Sequence, residues 1–533
     1  DLMAGSEFYD TYDYGVSASG SQAPSDDFMD LQYVRRDATV QPSVNSYHER
    51  QRILSFFGRA TYDYKSKYLL TATVRSDGYS KLINNRWGTF PGVSVGWNLH
   101  KENFFNVKWI NALKLRASYG QNGNVSGISA YGLQGGYSVN RYNTSTGYLF
   151  STPPFPDLLW ERSSTYEVGA EGNLLGKIDF MIAYYKRITS NKISSFTLPA
   201  TSGITSLTTN NGSMQNQGVE VDVNYSIIRK KDLDVSFAAN FAYNANKVLQ
   251  LPNNGLENNR QGGFQVWDPS QKKMIWVGGI QQGQDPNVAY AYVADGLFRT
   301  QAELDAYSNR VDLNGAKILL GTGKYAALTP AQRSSYFPIA MGDVRWKDID
   351  QNDTIDFRDR VYMGRTVPRF TGGFTAAARW KGLSVSARFD YALGFVAYDG
   401  PRAWFMGNAQ GTFNTITDVH DTWSPTNVNA KFPTYYWADQ LFKNNVLRES
   451  SMFYKKGDYL ALREININYA LPIKWASAIK SQGVNLSVTM QNVAYLSKAT
   501  LYSPESGSIA NSAAGFGGYP LPRIIIFGAQ VTF

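Results

Sequence analysis

The chain contains no cysteine in 533 residues. That excludes a disulfide framework and any thiolate metal site. Histidine is nearly as scarce: His48, His100 and His420 are the only ones, and none falls in a pattern that pairs it with a nucleophile or a metal. No run approaches the roughly 18–20 consecutive apolar residues of a membrane-crossing helix, and no purely aliphatic run is longer than the three isoleucines 524–526. A basic tail is missing too. The net charge of +9 comes from 52 basic and 43 acidic residues spread along the chain, so no Lys/Arg block points to nucleic acid. No secretory leader opens the sequence. Its first residues, "DLMAGSEFY", read as mid-structure, so further chain is expected upstream.

Aromatic residues are abundant, with 35 Tyr, 29 Phe and 12 Trp. Tyrosine joins an apolar ring to a polar tip, which suits a boundary between hydrocarbon and water. Strict period-two alternation is equally frequent. In "GVEVDVNYS", Val219, Val221, Val223 and Tyr225 share one face, opposite Glu220, Asp222 and Asn224. "VSFAANFAY", "LSVSARFDY", "EININYAL" and "VNLSVTMQN" repeat the scheme. The closing "RIIIFGAQVTF" sets Ile525, Phe527, Ala529, Val531 and Phe533 against Ile526, Gly528, Gln530 and Thr532.

A soluble sandwich alternates as well, but with strands of about five or six residues. These segments are nearer the ~9–11 residues a tilted strand needs to cross a bilayer. Their apolar faces often end in aromatics, and their other faces carry charge that a wet lumen tolerates and a dry core does not. The pattern predicts an all-β, antiparallel transmembrane β-barrel with about 14 strand-like segments in this chain. "YDYKSKY" and "SIIRKKDLDV" read as tight turns, and residues 120–160, 190–215, 250–345 and 395–455 as long extracellular loops. Only "TQAELDAY" and "TPAQRSSY" carry helix signals.

Several segments, in order, resemble the SusC/RagA-type TonB-dependent outer-membrane transporters. They include "SFFGRATYDYKSKYLLTATVRSDGYSKL", "NRWGTFPGVSVGWNLHKENFF", "LKLRASYGQNGN", "WERSSTYEVGAEG" and "NQGVEVDVNY". "MGDVRWKDIDQNDTIDFRDRVYMGRTVPRFTGGF", "DTWSPTNVNAKFPTYY", "DYLALREININYALP" and the closing strand extend the match. The resemblance implies the C-terminal part of a barrel of the roughly 22-strand class, with the plug and the TonB-contacting segment outside this chain. It further implies an outer-membrane importer of oligosaccharides or peptides in a Gram-negative bacterium, working with a SusD-like surface lipoprotein and the TonB complex. On this reading 1–533 is one barrel portion, not an enzyme, and the terminal Phe533 resembles an outer-membrane insertion signal. Two rivals remain open: a barrel enzyme with an acid/His site at its rim, and a soluble β-rich carbohydrate-binding protein or adhesin.

Three motifs carry possible chemistry. "GVSVG" matches a nucleophile elbow, but Ser94 lies inside an alternating segment, where an elbow needs a strand, a sharp turn and a helix. In "DIDQNDTIDFRD", residues Asp348, Asp350, Asn352, Thr354, Asp356 and Asp359 occupy positions 1, 3, 5, 7, 9 and 12 of a calcium loop. Calcium is the one cofactor suggested, and none is required by the resemblance. Asp353 stands where such loops place glycine, and Arg358, Arg360 and Lys347 offer salt pairing as a competing role for the carboxylates. Finally, Trp404, Phe405, Tyr435, Tyr436 and Trp437 form aromatic loop patches. These suit stacking on sugar rings or gripping peptide side chains, and equally packing of loop on loop.

Overall fold

The computed structural model describes residues 1–28, 30–35, 42–143, 145–198, 200–204, 206–313, 317–407, 414–435, 443–499, 505 and 521–533. Fourteen strands form one sheet, each hydrogen-bonded to its neighbour in chain order. They are β1 (Leu2–Ser19), β2 (Ser43–Tyr64), β3 (Tyr68–Tyr79), β4 (Trp87–Asn98), β5 (Ile110–Asn124), β6 (Glu161–Leu174) and β7 (Ile178–Thr197). The rest are β8 (Ser206–Arg229), β9 (Leu233–Gln250), β10 (Phe370–Trp380), β11 (Leu383–Leu393), β12 (Tyr459–Ala470), β13 (Gly483–Ser497) and β14 (Ile524–Thr532). Among the described residues no helix is long and apolar enough to cross a membrane, which says nothing about crossing by strands.

Connections alternate in length. Short ones lie at 65–67, 175–177, 230–232 and 381–382, and long ones at 125–160, 251–369 and 394–458. Lys65 and Ser66 turn the first tight link with φ near +50°. Both expected helices are present: Gln301–Ala306 starts from a capping box on Thr300, and Pro330–Arg333 from one on Thr329. Residues 190–215, expected as a loop, are mostly strand, because β7 continues to Thr197 and β8 begins at Ser206. The stretch "MGDVRWKDIDQNDTIDFRDRVYMG" is not wall either. It belongs to the 251–369 connection and carries only short strands such as Val344–Trp346 and Val361–Arg365.

The chain divides into two compact units. The first comprises residues 1–106, 113–170 and 185–215. Its strands are tied by cross-strand ion pairs, Arg50 with Asp10 at 2.7 Å and Arg75 with Glu7 at 2.8 Å. Its buried apolar cluster lies beside the connections: Leu82, Phe90, Val125, Ile128, Leu133, Leu158 and Trp160.

The second unit comprises residues 107–112, 171–184 and 216–533. Its register settles which side chains share a face. Val385 stands opposite Ile467, Ile467 opposite Val488, and Val488 opposite Phe527. One residue along, Ser384 stands opposite Asn468, Asn468 opposite Ser487, and Ser487 opposite Gly528. Directly paired residues point the same way, so one continuous face is apolar and the other polar, as the alternation predicts. The apolar face is open: Ile467 is 40% exposed, Leu486 43% and Phe527 78%. Apolar burial lies in the connections, around Tyr292, Trp346, Ile355 and Trp423 and around Ala403, Met406, Phe432 and Phe453. A water-soluble sheet has the reverse arrangement.

Candidate ligand-facing sites

The polar face of β9 to β12, in the second unit, carries a hollow bordered by charged side chains. Asn240 pairs with Gly373 and Gly373 with Asp390; beside them Ala238 pairs with Thr375 and Thr375 with Arg388. The register then slips. Arg388 faces Glu464 and Phe389 faces Leu462, which leaves Arg463 as the extra residue of a bulge. That bulge turns the Arg463 guanidinium onto the Asp390 carboxylate, with a 2.9 Å bond from Nη2 and a second from Nε. Arg463 also donates to the Tyr495 hydroxyl at 2.6 Å and pairs with Glu505 at 2.5 Å.

Around these groups lies a hollow of about 440 Å³, lined among others by Asp222, Asn224, Asn240, Thr375, Arg388 and Arg463. Gly373 keeps its floor free of a side chain between Asn240 and Asp390; a Cβ there would come within 2.6 Å of the Phe389 carbonyl. Both charge signs and the amides of Asn224 and Asn240 converge, which suits reversible contact with a polar, hydrated molecule. Sequence reasoning placed Asp222 on this face but missed Arg463, since a bulge leaves no mark in the alternation. Ser94 is no elbow: it sits within β4, opposite Thr71 and Ser118.

The loop aromatics divide. Helix Gly400–Gly407 buries Ala403 and Met406 against Phe432 and Phe453 and leaves Trp404 and Phe405 half-buried. Those two rings meet edge-on, 5.2 Å between centroids. Tyr435 is 37% exposed and borders a small crevice with Met406, Gly407 and Leu447. Tyr436 and Trp437 lie outside the described residues. Phe533 follows β14 and is 80% exposed.

The acidic segment also divides. Asp348, Asp350 and Asp359 each bring a carboxylate oxygen within 4.8 Å of the others. Asp356 instead pairs with Arg358 at 2.8 Å and caps the short turn Phe357–Asp359. The Asn352 oxygen accepts the Thr354 N–H at 2.7 Å. Thus three of the six spaced residues converge, while Asn352 and Asp356 are engaged elsewhere. Asp353 takes the strained position with φ +60°.

Sequence reasoning missed the buried ion pairs that join the 251–369 and 394–458 connections. Lys443 pairs with Asp343 at 2.5 Å, both almost fully buried, and Asn445 bonds the other oxygen of Asp343 at 2.9 Å. Arg448 pairs with Asp312 at 2.7 Å and lies over the rings of Trp346 and Tyr292. Burial raises the Asp312 pKa despite that guanidinium, so desolvation outweighs the pairing.

Comparison with known proteins agrees with the architecture. Residues 1–446 match the family described as "TonB dependent receptor-like, beta-barrel". The chain is 27% identical over 512 residues to TonB-dependent receptor P3 of Formosa agariphila, covering 93% of this chain and 47% of the relative. It is 24% identical over 507 residues to TonB-dependent receptor SusC of Bacteroides thetaiotaomicron, covering 92% and 44%. Among solved structures, one described as the RagAB peptide transporter superposes with a TM-score of 0.75 at 23% identity, over 100% of this chain and 53% of that one. The chain belongs to the TonB-dependent receptor β-barrel family, and its place is the outer membrane of a Gram-negative bacterium. It spans about half the length of the relatives it matches.

Proposed function

We propose that the chain forms the C-terminal barrel portion of an active, TonB-dependent importer of oligosaccharides or peptides that works with a SusD-like surface lipoprotein. The observation that carries this reading is the pairing of a mixed-charge hollow on the polar strand face with long connections. The strands hold the passage, and the connections supply the surface on which cargo and lipoprotein lid meet. Trp404 and Phe405, partly exposed on one helix, are the aromatic contacts for cargo. The role is transport and not catalysis. No step needs an acid, a base or a nucleophile from these residues, and energy enters through the TonB complex.

A strain lacking the intact gene tests the reading. Uptake of either a labelled oligosaccharide or a labelled peptide pool should fall, return with the wild-type gene, and fall again when TonB is removed. A tagged protein should bring down a surface lipoprotein from detergent extracts. Unchanged uptake of both cargo classes in the deletion strain would overturn the proposal.

A further inference from the structure

The acidic segment supports a second, independent inference. It lies in the 251–369 connection against the short strand Val311–Leu313. Val311 pairs in parallel with Thr354 and donates its N–H to the Asp353 carbonyl at 2.9 Å. The converging carboxylates are withdrawn from water: the side chains of Asp348 and Asp350 are 8% and 9% exposed, and Asp359 is fully buried. Backbone donors fix two of them. Asp348 accepts the N–H groups of Asn352 and Asp353 at 3.3 and 2.8 Å, and Asp359 those of Ile349 and Asp356 at 2.8 and 2.9 Å.

Asp350 differs. Its Oδ2 accepts the Asn352 amide at 2.8 Å, while its buried Oδ1 has no hydrogen-bond partner. That orphaned oxygen belongs to a side chain more than nine-tenths buried, in a carboxylate that reaches the other two. A lone pair left unused in such a place carries a full desolvation cost unless a cation meets it.

The arginines pair with these carboxylates only at long range and leave Asp350 Oδ1 without a hydrogen bond. Arg358 is committed to Asp356 at 2.8 Å and stands 3.7 Å from Asp350; Arg310 stands 3.8 Å from Asp348. Among the described residues no ion pair to Asp359 is present. Salt pairing is therefore close at Asp356, long at Asp348 and Asp350, and absent from Asp359 among the described residues.

We infer that Asp348, Asp350 and Asp359 bind a calcium ion, with water and backbone carbonyls completing its oxygen shell. A hard cation that takes six to eight oxygens in flexible geometry matches three carboxylates already oriented by backbone N–H groups. The ion ties the two ends of the segment together and braces Thr354 and Ile355 against strand Val311–Leu313.

The test uses the intact protein, purified in detergent and stripped with EDTA. Calorimetric titration with calcium chloride should give a binding event that raises the melting temperature. Asp350→Asn should weaken that event by about tenfold or more, because affinity follows the charge count of the ligands. In EDTA this variant should melt no lower than wild type, since it removes one charge from a repelling trio, and that separates lost binding from misfolding. Asp353→Asn, outside the trio and at a backbone position asparagine accepts, should bind as wild type does. Equal calcium binding by wild type and Asp350→Asn would overturn the inference. So would a melting shift produced by magnesium chloride and not by calcium chloride.

Discussion

Tyr454 and Tyr398 show how a single buried group ties the connections to solution conditions. Burial raises both phenols above their ordinary range; the Tyr454 hydroxyl also donates to Glu449, and the charge of Glu449 disfavours ionised Tyr398. A phenol whose folded pKa exceeds its unfolded value of about 10 contributes fully below that pH and loses its contribution as pH rises beyond it. Melting temperature should therefore drop between about pH 9 and about pH 11, and Tyr454→Phe should drop less. Equal losses in the two proteins would show that Tyr454 stays neutral in neither state. Arg448 makes a second case. Removing it as Arg448→Met strands buried Asp312 and should cost about 3–5 kcal/mol, whereas the double change Asp312→Leu with Arg448→Met should recover much of that. Chemical denaturation of the purified protein measures both.

Strand faces are the most legible feature of the sequence, because a period of two survives wherever one side meets hydrocarbon and the other water. Ile467→Arg on the apolar face should cost roughly 2–4 kcal/mol, and Asn468→Arg on the polar face far less. Unfolding titrations of the two variants in lipid or detergent check the difference, and equal costs would mean the faces are reversed. The same reasoning explains where strand limits were misread. The ends of β7 and β8, with "TSNKISSFT" and "SLTTNNGSMQNQ", are polar on both sides, so the ladder continues while the alternation stops. Helix starts were legible through Thr300 and Thr329, whose capping chemistry is local. Arg463, the Lys443–Asp343 pair and the Arg448–Asp312 pair were not, since a bulge and contacts a hundred or more residues apart have no local signature. The acidic segment lies between these cases. Its spacing marked Asp348, Asp350 and Asp359 as able to meet, but only the fold shows Asp356 drawn off by Arg358.

At the scale of the molecule, apolar side chains are inverted relative to a soluble protein. Phe527, Leu486, Ile467 and Val385 are open on the strands, while the fully buried Phe453 and Leu82 lie in the connections. A continuous apolar face of this extent stays dispersed only when lipid or detergent covers it. Extraction into buffer without detergent should leave the protein in the pellet, and detergent should release a monodisperse, strand-rich species. Circular dichroism and size-exclusion chromatography of the two fractions check this. A soluble, monodisperse protein in plain buffer would revive the adhesin alternative.

The buried pairs between the two longest connections bear on how such proteins diversify. Asp343 and Asp312 lie in one connection; Lys443, Asn445 and Arg448 lie in the other. A recombination event that replaced only one of them would leave carboxylates or cations buried without a counterpart. The two segments should therefore be inherited as a matched set. New cargo preferences should arise by exchange of both together or by drift at their exposed tips, and an engineer grafting specificity from a relative must move them as one piece.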